Sequence, residues 1–415
     1  MKRKEIVLVK ETRQNEFLKK VMNAISPYLE LKASDKIAIK INLSGSREIY
    51  ANTHYETVES MIFYLKEKFG ISDISVIEGS DGAYYTGKTT WDIFYKFRYK
   101  EVELNGAKLV NLDELPHDNQ IEVETLSGTR QISYCKYEAD YIINIVPPKT
   151  HNVLPVCLGI PNISGYVKPE ERSLLLGACN SDLKKLNSMK NERVFEMLEK
   201  AGTNFARLLK EVPPSLSLID GLYGMEGKGP IKGSPVFHGF AVASEDSVLA
   251  DSLTTYIMGF DVDQVPYISA AYREGLGNNR WQNVIGVEPA QVKFPYRPHP
   301  FYQKLRGKER GPRKGPRNNR NSRVNRSGDN RSGDNRDRRD SRDNMDNRSG
   351  ENRPGDNRNR DNRDRRDSRD NRENRPGDNH DRSRNNRSNN SSNGKFSNER
   401  PKDQLRREDN EKIKS

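Results

Sequence analysis

Residues 139–151 read ADYIINIVPPKTH, and the fold follows from them. Tyr141–Val146 is a near-continuous apolar run, the pattern of a strand buried on both faces in a parallel sheet. Pro147-Pro148 ends it, because proline has no amide hydrogen to give to a ladder, and hands the chain to Lys149-Thr150-His151. Outward from this strand, Ile6–Val9, residues 36–43 (KIAIKINL), Ile74–Ile77, Leu216–Ile219 and Phe240–Ala243 are further short apolar runs, and helix-period segments separate them. That alternation predicts an α/β fold: a mainly parallel sheet with flanking helices.

The best-marked helix begins near Thr53, which has capping-box spacing to Glu56. Val58, Met61, Ile62 and Leu65 share one face before Gly70 stops it. A longer helical region is expected from about Asp182 to Leu209, broken near Gly202. Ser244 is placed to cap another helix that has Glu245 and Asp246 in its first turn and ends near Gly259. Between residues 83 and 135 an aromatic helical stretch, Trp91–Tyr99, and short strands around Leu109 and Ile132 are visible, without an assignable order.

The 415 residues divide by composition into an α/β domain, 1–300, and a tail, 301–415. The whole chain is +12, but the tail holds 35 of its 71 Lys and Arg and 21 of its 59 Asp and Glu. The tail is therefore at +14 and the body at −2. From Gln303 through Lys395 the tail has no Phe, Tyr or Trp, so it cannot bury enough surface to offset its ordering entropy, and we read it as disordered, Arg/Asn/Asp-rich and of low complexity. DNRDRRDSRDN occurs at 334–344 and 361–371, and ENRPGDN at 351–357 and 373–379. Neither repeat has an apolar face to stack, so they read as duplicated sequence rather than a solenoid.

At the start, Ile6–Val9 is far too short for a signal peptide or a membrane span, which predicts a cytoplasmic protein with no membrane partner. Cys135, Cys157 and Cys179 form no close pair, so the sequence implies neither a disulfide framework nor a metal knuckle. Reduced, mostly buried thiols are expected.

Ligands of open α/β sheets bind at the carboxyl ends of strands, and several polar groups fall just there. Lys40 and Asn42 close one strand, Glu78 and Asp81 another, Lys149 and His151 a third, Asp220 and Glu226 a fourth. Lys149 and His151 are the catalytic candidates, the lysine as fixed charge for an anion and the histidine as proton carrier or metal ligand. Lys40, Asn42, Glu78, Asp81, Asp220, Glu226 and Asp251 are the ligand-binding candidates. Asp251 is alternatively placed to reach the sheet end or a neighbouring backbone amide. Gly227, Gly229 and Gly233 interleave with Lys228 and Lys232, an arrangement that suits either an anion cradle or a tight hairpin. His54, His117 and His238 stand in no ligand spacing with His151, so no metal is named.

The segments KINL (40–43), VIEGSDG (76–82), ADYIINIVPPKTH, IPNISG (160–165), IDGLYGMEGKGP (219–230) and ASEDSVLAD (243–251) follow one another in a characteristic order. In that order and spacing the chain resembles the domain-of-unknown-function family 362, over about residues 5–290. The resemblance implies no settled activity. Many relatives carry ferredoxin-like cysteine clusters beside this domain, but here the three cysteines stand 22 residues apart, which argues against an iron–sulfur cluster. Relatives more often have Lys-Asn where this chain has Pro161-Asn162.

The sequence leaves two function classes. The first is a small-molecule enzyme or ligand-binding domain for a small anionic ligand, with reaction, cofactor and oligomeric state unnamed. The second is an interaction protein whose basic tail contacts RNA or an acidic partner, against the simpler view of the tail as a solvated spacer. Because the tail intersperses acids among its arginines and lacks aromatics for base stacking, its contact with phosphate would rest on counterion release. The isolated tail is expected to bind unrelated RNA single strands at low salt and to lose most of that binding by physiological ionic strength. Salt-resistant or sequence-selective binding in a titration series would contradict the charge argument.

Overall fold

The computed structural model describes residues 4–45 and 47–309. The tail beyond them, with the disorder and the RNA contact expected of it, lies outside the described residues. The strands open with β1 (Ile6–Lys10), β2 (Ile37–Lys40), β3 (Ile74–Glu78) and β4 (Lys108–Asn111). A separate antiparallel hairpin follows, β5 (Asn119–Thr125) with β6 (Gly128–Tyr134). Then come β7 (Tyr141–Val146), the short β8 (Lys149–Thr150) and β9 (Val156–Cys157), the long β10 (Leu216–Glu226) and β11 (Ser234–Ser244), and β12 (Ile285–Gly286).

The main sheet runs β12-β1-β11-β10-β7-β2-β3-β4, and β10, β7, β2, β3 and β4 are mutually parallel. Strand β11 alone in that row runs against its neighbours. The apolar run that decides the fold is β7, residue for residue, hydrogen-bonded to β2 on one side and β10 on the other. Its Ile143 and Ile145 enter the core under helices Gln14–Ile25 and Tyr55–Phe69. Its Val146 enters the core under helices Asn191–Glu211, Ser247–Ile257 and Pro266–Arg273. A strand covered on both faces needs apolar side chains on both.

Several local expectations change under tertiary contact. Gly70 does end its helix, in the left-handed conformation at φ 69° that glycine adopts without cost. Thr53 does not cap that helix, because its hydroxyl accepts the Asn42 amide at 2.9 Å and donates to the Ile145 carbonyl at 2.6 Å, tying β2 to β7. The second long helix runs unbroken through Gly202, where a Cβ would lie 2.6 Å from the Pro266 carbonyl oxygen. That glycine serves the close approach of two helices. The N-cap of the helix after β11 is Asp246, which accepts the Leu249 amide at 2.9 Å, while Ser244 belongs to the strand. Strand β10 extends well past Ile219, so Asp220 and Glu226 are strand residues rather than members of a loop.

The body also extends past the limit expected at residue 300. Helix Pro300–Glu309 packs Phe301, Tyr302 and Leu305 against Val153, Ala178 and Met197, and the Tyr302 hydroxyl donates to the Val153 carbonyl. A chain ended at His299 should therefore lose on the order of 4–9 kcal/mol in urea denaturation, the worth of three buried apolar side chains. A chain ended at Asn321 should keep full stability, and equal stability of the two would show this helix to be dispensable.

Candidate functional site

Parallel register brings the carboxyl ends of β2, β3, β7 and β10 to one edge of the sheet: Lys40 stands opposite Ile77 and Asn144, and Asn144 opposite Ser217. Polar side chains there enter a nearly water-free layer, where each must find a partner. Lys40 and Glu78, 1% and 3% exposed, form an ion pair. Lys40 Nζ also donates to the Ile41 carbonyl at 2.7 Å, and Glu78 Oε1 accepts the Leu43 amide at 2.9 Å. Burial pushes the carboxyl up and the ammonium down, and the contact between them opposes both shifts. The pair thus fixes the chain where it leaves β2.

Lys149 is equally buried but has no carboxylate at its ammonium. Its Nζ donates to Asn42 Oδ1 at 2.6 Å, Ser44 Oγ at 2.7 Å and the Ala51 carbonyl at 2.8 Å, which uses all three of its hydrogens. Burial lowers its pKa. The network continues through Asn162, which accepts from Asn42 Nδ2 at 2.8 Å and donates to Asn144 Oδ1 at 2.6 Å and the Ile41 carbonyl at 3.1 Å. Asn162 closes the short helix Gly159–Asn162, whose first amides, on Gly159 and Ile160, donate to the two oxygens of Asp251 at 2.8 and 2.9 Å. Asp251 therefore meets backbone amides, the second of the two placements read from the sequence. Burial raises its pKa to about 7.

Above this layer lies a cavity of about 450 Å³. Asn42 and Ser44 line it from the segment after β2, Asp81 from the turn after β3, His151 from just after β8, Cys157 from β9, and the turn Lys228–Lys232 from between β10 and β11. The last seats closely because Gly229 has no side chain: a Cβ there would strike the Thr150 carbonyl. Arg172, which the sequence reading did not single out, lines the same space. Its guanidinium pairs with Asp113, reaches Asp81 at 3.5 Å and donates to the Val167 carbonyl at 2.9 Å. The readable signal was Gly79 of the VIEGSDG stretch, where a Cβ would run into Arg172 and the Gly165 carbonyl.

His151 is held as a structural acceptor as well as a cavity wall. Its Nδ1 accepts the amides of Val153 and Leu154, each at 3.0 Å, so the ring is neutral with its hydrogen on Nε2. Burial, with Lys149 nearby, pushes its pKa down from 6.5 to about 3. A ring so held is a poor proton carrier near neutrality and a good hydrogen-bond donor.

The structure thus brings Asn42, Asp81 and His151 to the cavity and places Lys40, Glu78, Lys149 and Asp251 beneath it as struts. It separates the other two candidates. Asp220 points to the opposite face of the sheet, where Thr57 Oγ1 donates to it at 2.6 Å and burial raises its pKa despite His54. Glu226 is fixed at the outer end of β10 by Arg297, through the backbone amide at 2.8 Å and Nε at 2.6 Å. Strand alternation sends Asp220 away, and an exposed guanidinium captures Glu226.

A family model described as "Domain of unknown function (DUF362)" matches residues 37–256. The chain belongs to that family. In Synechocystis sp., "Thylakoid-associated protein sll1697" is 29% identical over 139 residues, 34% of this chain and 39% of that relative. The chain thus spans well under half of that relative's length. The lactate racemase apoprotein from Thermoanaerobacterium thermosaccharolyticum is structurally similar at TM-score 0.35 and 14% identity, over 51% of this chain and 50% of that one. No described helix is long and apolar enough to cross a membrane. Among the described residues no three His, Cys, Asp or Glu side chains gather as metal ligands, and the three cysteines are free, with Cys135 hydrogen-bonded through sulfur to the Leu112 and Tyr166 carbonyls.

Substitutions at His151 separate its two roles. Asn can accept the same two amides through Oδ1, so His151→Asn should keep the fold, whereas His151→Leu should cost about 2 kcal/mol for two unsatisfied amides. Because the folded ring resists protonation and the unfolded ring does not, wild-type stability should fall as pH drops from 6.5 towards 3. His151→Asn should flatten that part of the profile, and identical pH profiles in denaturant titrations would refute the burial argument.

Proposed function

We propose that this family member is a small-molecule-binding domain of enzymatic type, with its site in the cavity above the strand ends. The observation that carries the reading is the convergence of the β2, β3, β8 and β10–β11 loops on one cavity over a fully hydrogen-bonded floor. Cavities of this size at the carboxyl edge of a parallel sheet are where α/β proteins hold ligands. Polar floors satisfied before ligand arrives do not have to reorganise on binding.

In this reading Asn42, Ser44 and Asp81 touch the ligand, and His151 donates to it through Nε2. Lys149 is a positioning residue: its ammonium orients Asn42 and Ser44. Lys40, Glu78 and Asp251 hold the loops that form the floor.

Ligand-observed NMR with a fragment set of anionic, neutral and cationic members tests the site. Ser164 lines the cavity, and Ser164→Trp should fill it with little loss of stability. Fragments that bind the wild type are expected to lose binding in the variant, with thermal unfolding as the check on folding. If no fragment of any charge is displaced, the cavity is not a ligand site.

A further inference from the structure

Lys228 and Lys232 flank Pro230 and Ile231 on the turn that closes the cavity, both exposed and both without a carboxylate partner among the described residues. Charges elsewhere around the cavity nearly cancel. Lys40 pairs with Glu78, Arg172 bridges Asp81 and Asp113, and the charge of Lys149, which touches neither aspartate, balances the remaining one in the sum. What remains is the pair of lysines at the rim. His299, also at the rim, is kept neutral near pH 7 by burial and by Lys228.

Another part of the lining has a different character. Val153, Leu176 and Leu183 line the cavity from the small apolar cluster that also holds Phe301 and Tyr302, and Ile231 faces the same space from between the lysines. A fully hydrated ion such as phosphate would leave this wall wet, and a neutral hydrocarbon would gain nothing from the two ammonium groups at the rim.

Resting on the binding reading above, we infer that the cavity takes an organic oxyanion with an apolar body: a carboxylate or phosphate under Lys228 and Lys232, its hydrocarbon part against Val153, Leu176 and Leu183. Lysine suits this role because an ammonium on a flexible stem is a point charge that adapts to either oxyanion. The polar floor of Asn42 and Ser44 then meets the substituents between the two ends.

Full-length protein titrated with octanoate, octyl phosphate, 1-octanol, octylamine, acetate and inorganic phosphate tests the class, with ligand-observed NMR as readout. Octanoate or octyl phosphate should bind, and comparison of the two separates carboxylate from phosphate. Octanol and octylamine should bind at least about tenfold more weakly for want of charge pairing. Acetate and inorganic phosphate should bind at least about a hundredfold more weakly for want of buried hydrocarbon. Lys228→Gln/Lys232→Gln should reduce octanoate to the affinity of octanol. Because that double variant leaves the basic tail unchanged, octanoate affinity equal to wild type would assign the binding to the tail and overturn the inference. Equal binding of octanol or octylamine, or of acetate, would overturn it as well. Neutral or cationic fragments displaced by Ser164→Trp while no octyl anion binds would refute the ligand class but leave the site standing.

Discussion

A buried ammonium with no carboxylate beside it must find three oxygen acceptors or be forced to give up its proton. Lys149 finds them on three different residues of the segment after β2: Asn42, Ser44 and the Ala51 carbonyl. Satisfying one side chain therefore dictates the path of about ten residues of backbone and pins them to the strand that carries Lys149. The rest of the site depends on this. Asn42, held through its oxygen by Lys149, has its nitrogen free for Asn162, and Asn162 in turn reaches Asn144 on β7. Each bond orients the group that makes the next.

Such a network is expensive to leave half made, and its members reinforce one another in a medium of low dielectric. Here it is complete enough to serve as a hydrogen-bonded floor, while the upper walls are built on other elements. The Lys228–Lys232 turn projects from the ends of β10 and β11, and helix Pro300–Glu309 supports the apolar wall through Phe301 and Tyr302. The cavity accordingly combines a fixed polar base, a charged rim and an apolar side. Nothing in the arrangement needs the opposite face of the sheet, where Asp220 and Thr57 serve the packing of helix Tyr55–Phe69.

Much of the architecture was legible in the residues themselves. Tyr141–Val146 announced a central strand because burial on both faces leaves no room for polar alternation, and Gly70 marked a helix end because a left-handed residue is needed there. Thr53 and Gly202 misled for a common reason. Each has a strong local meaning, a cap or a helix breaker, and each is governed instead by a distant neighbour: Ile145 and Asn42 for the threonine, Pro266 for the glycine. Among the residues that line the cavity, Asn42, Asp81 and His151 had been singled out through their position after strands, whereas Arg172 had not. It lies in a short helical segment far from any strand end and arrives there through the fold alone.

By itself, then, the sequence determined the α/β alternation, the parallel core around β7 and the edge of the sheet on which polar groups accumulate. Those follow from the periodicity of burial, a local property of the chain. Which of those polar groups face the cavity and which hold the structure together was decided by tertiary contact. Lys40, Lys149 and Asp251 read as site residues because charge after a strand suits a ligand, yet each is answered by a partner dozens of residues away: Glu78, Asn42 and the Gly159 amide. Lys228 and Lys232 have no such partner among the described residues and stand exposed at the rim of the cavity. A charged side chain's role depends on which counter-group the fold brings within about 3 Å of it, and that distance is set by through-space register rather than by neighbours in sequence.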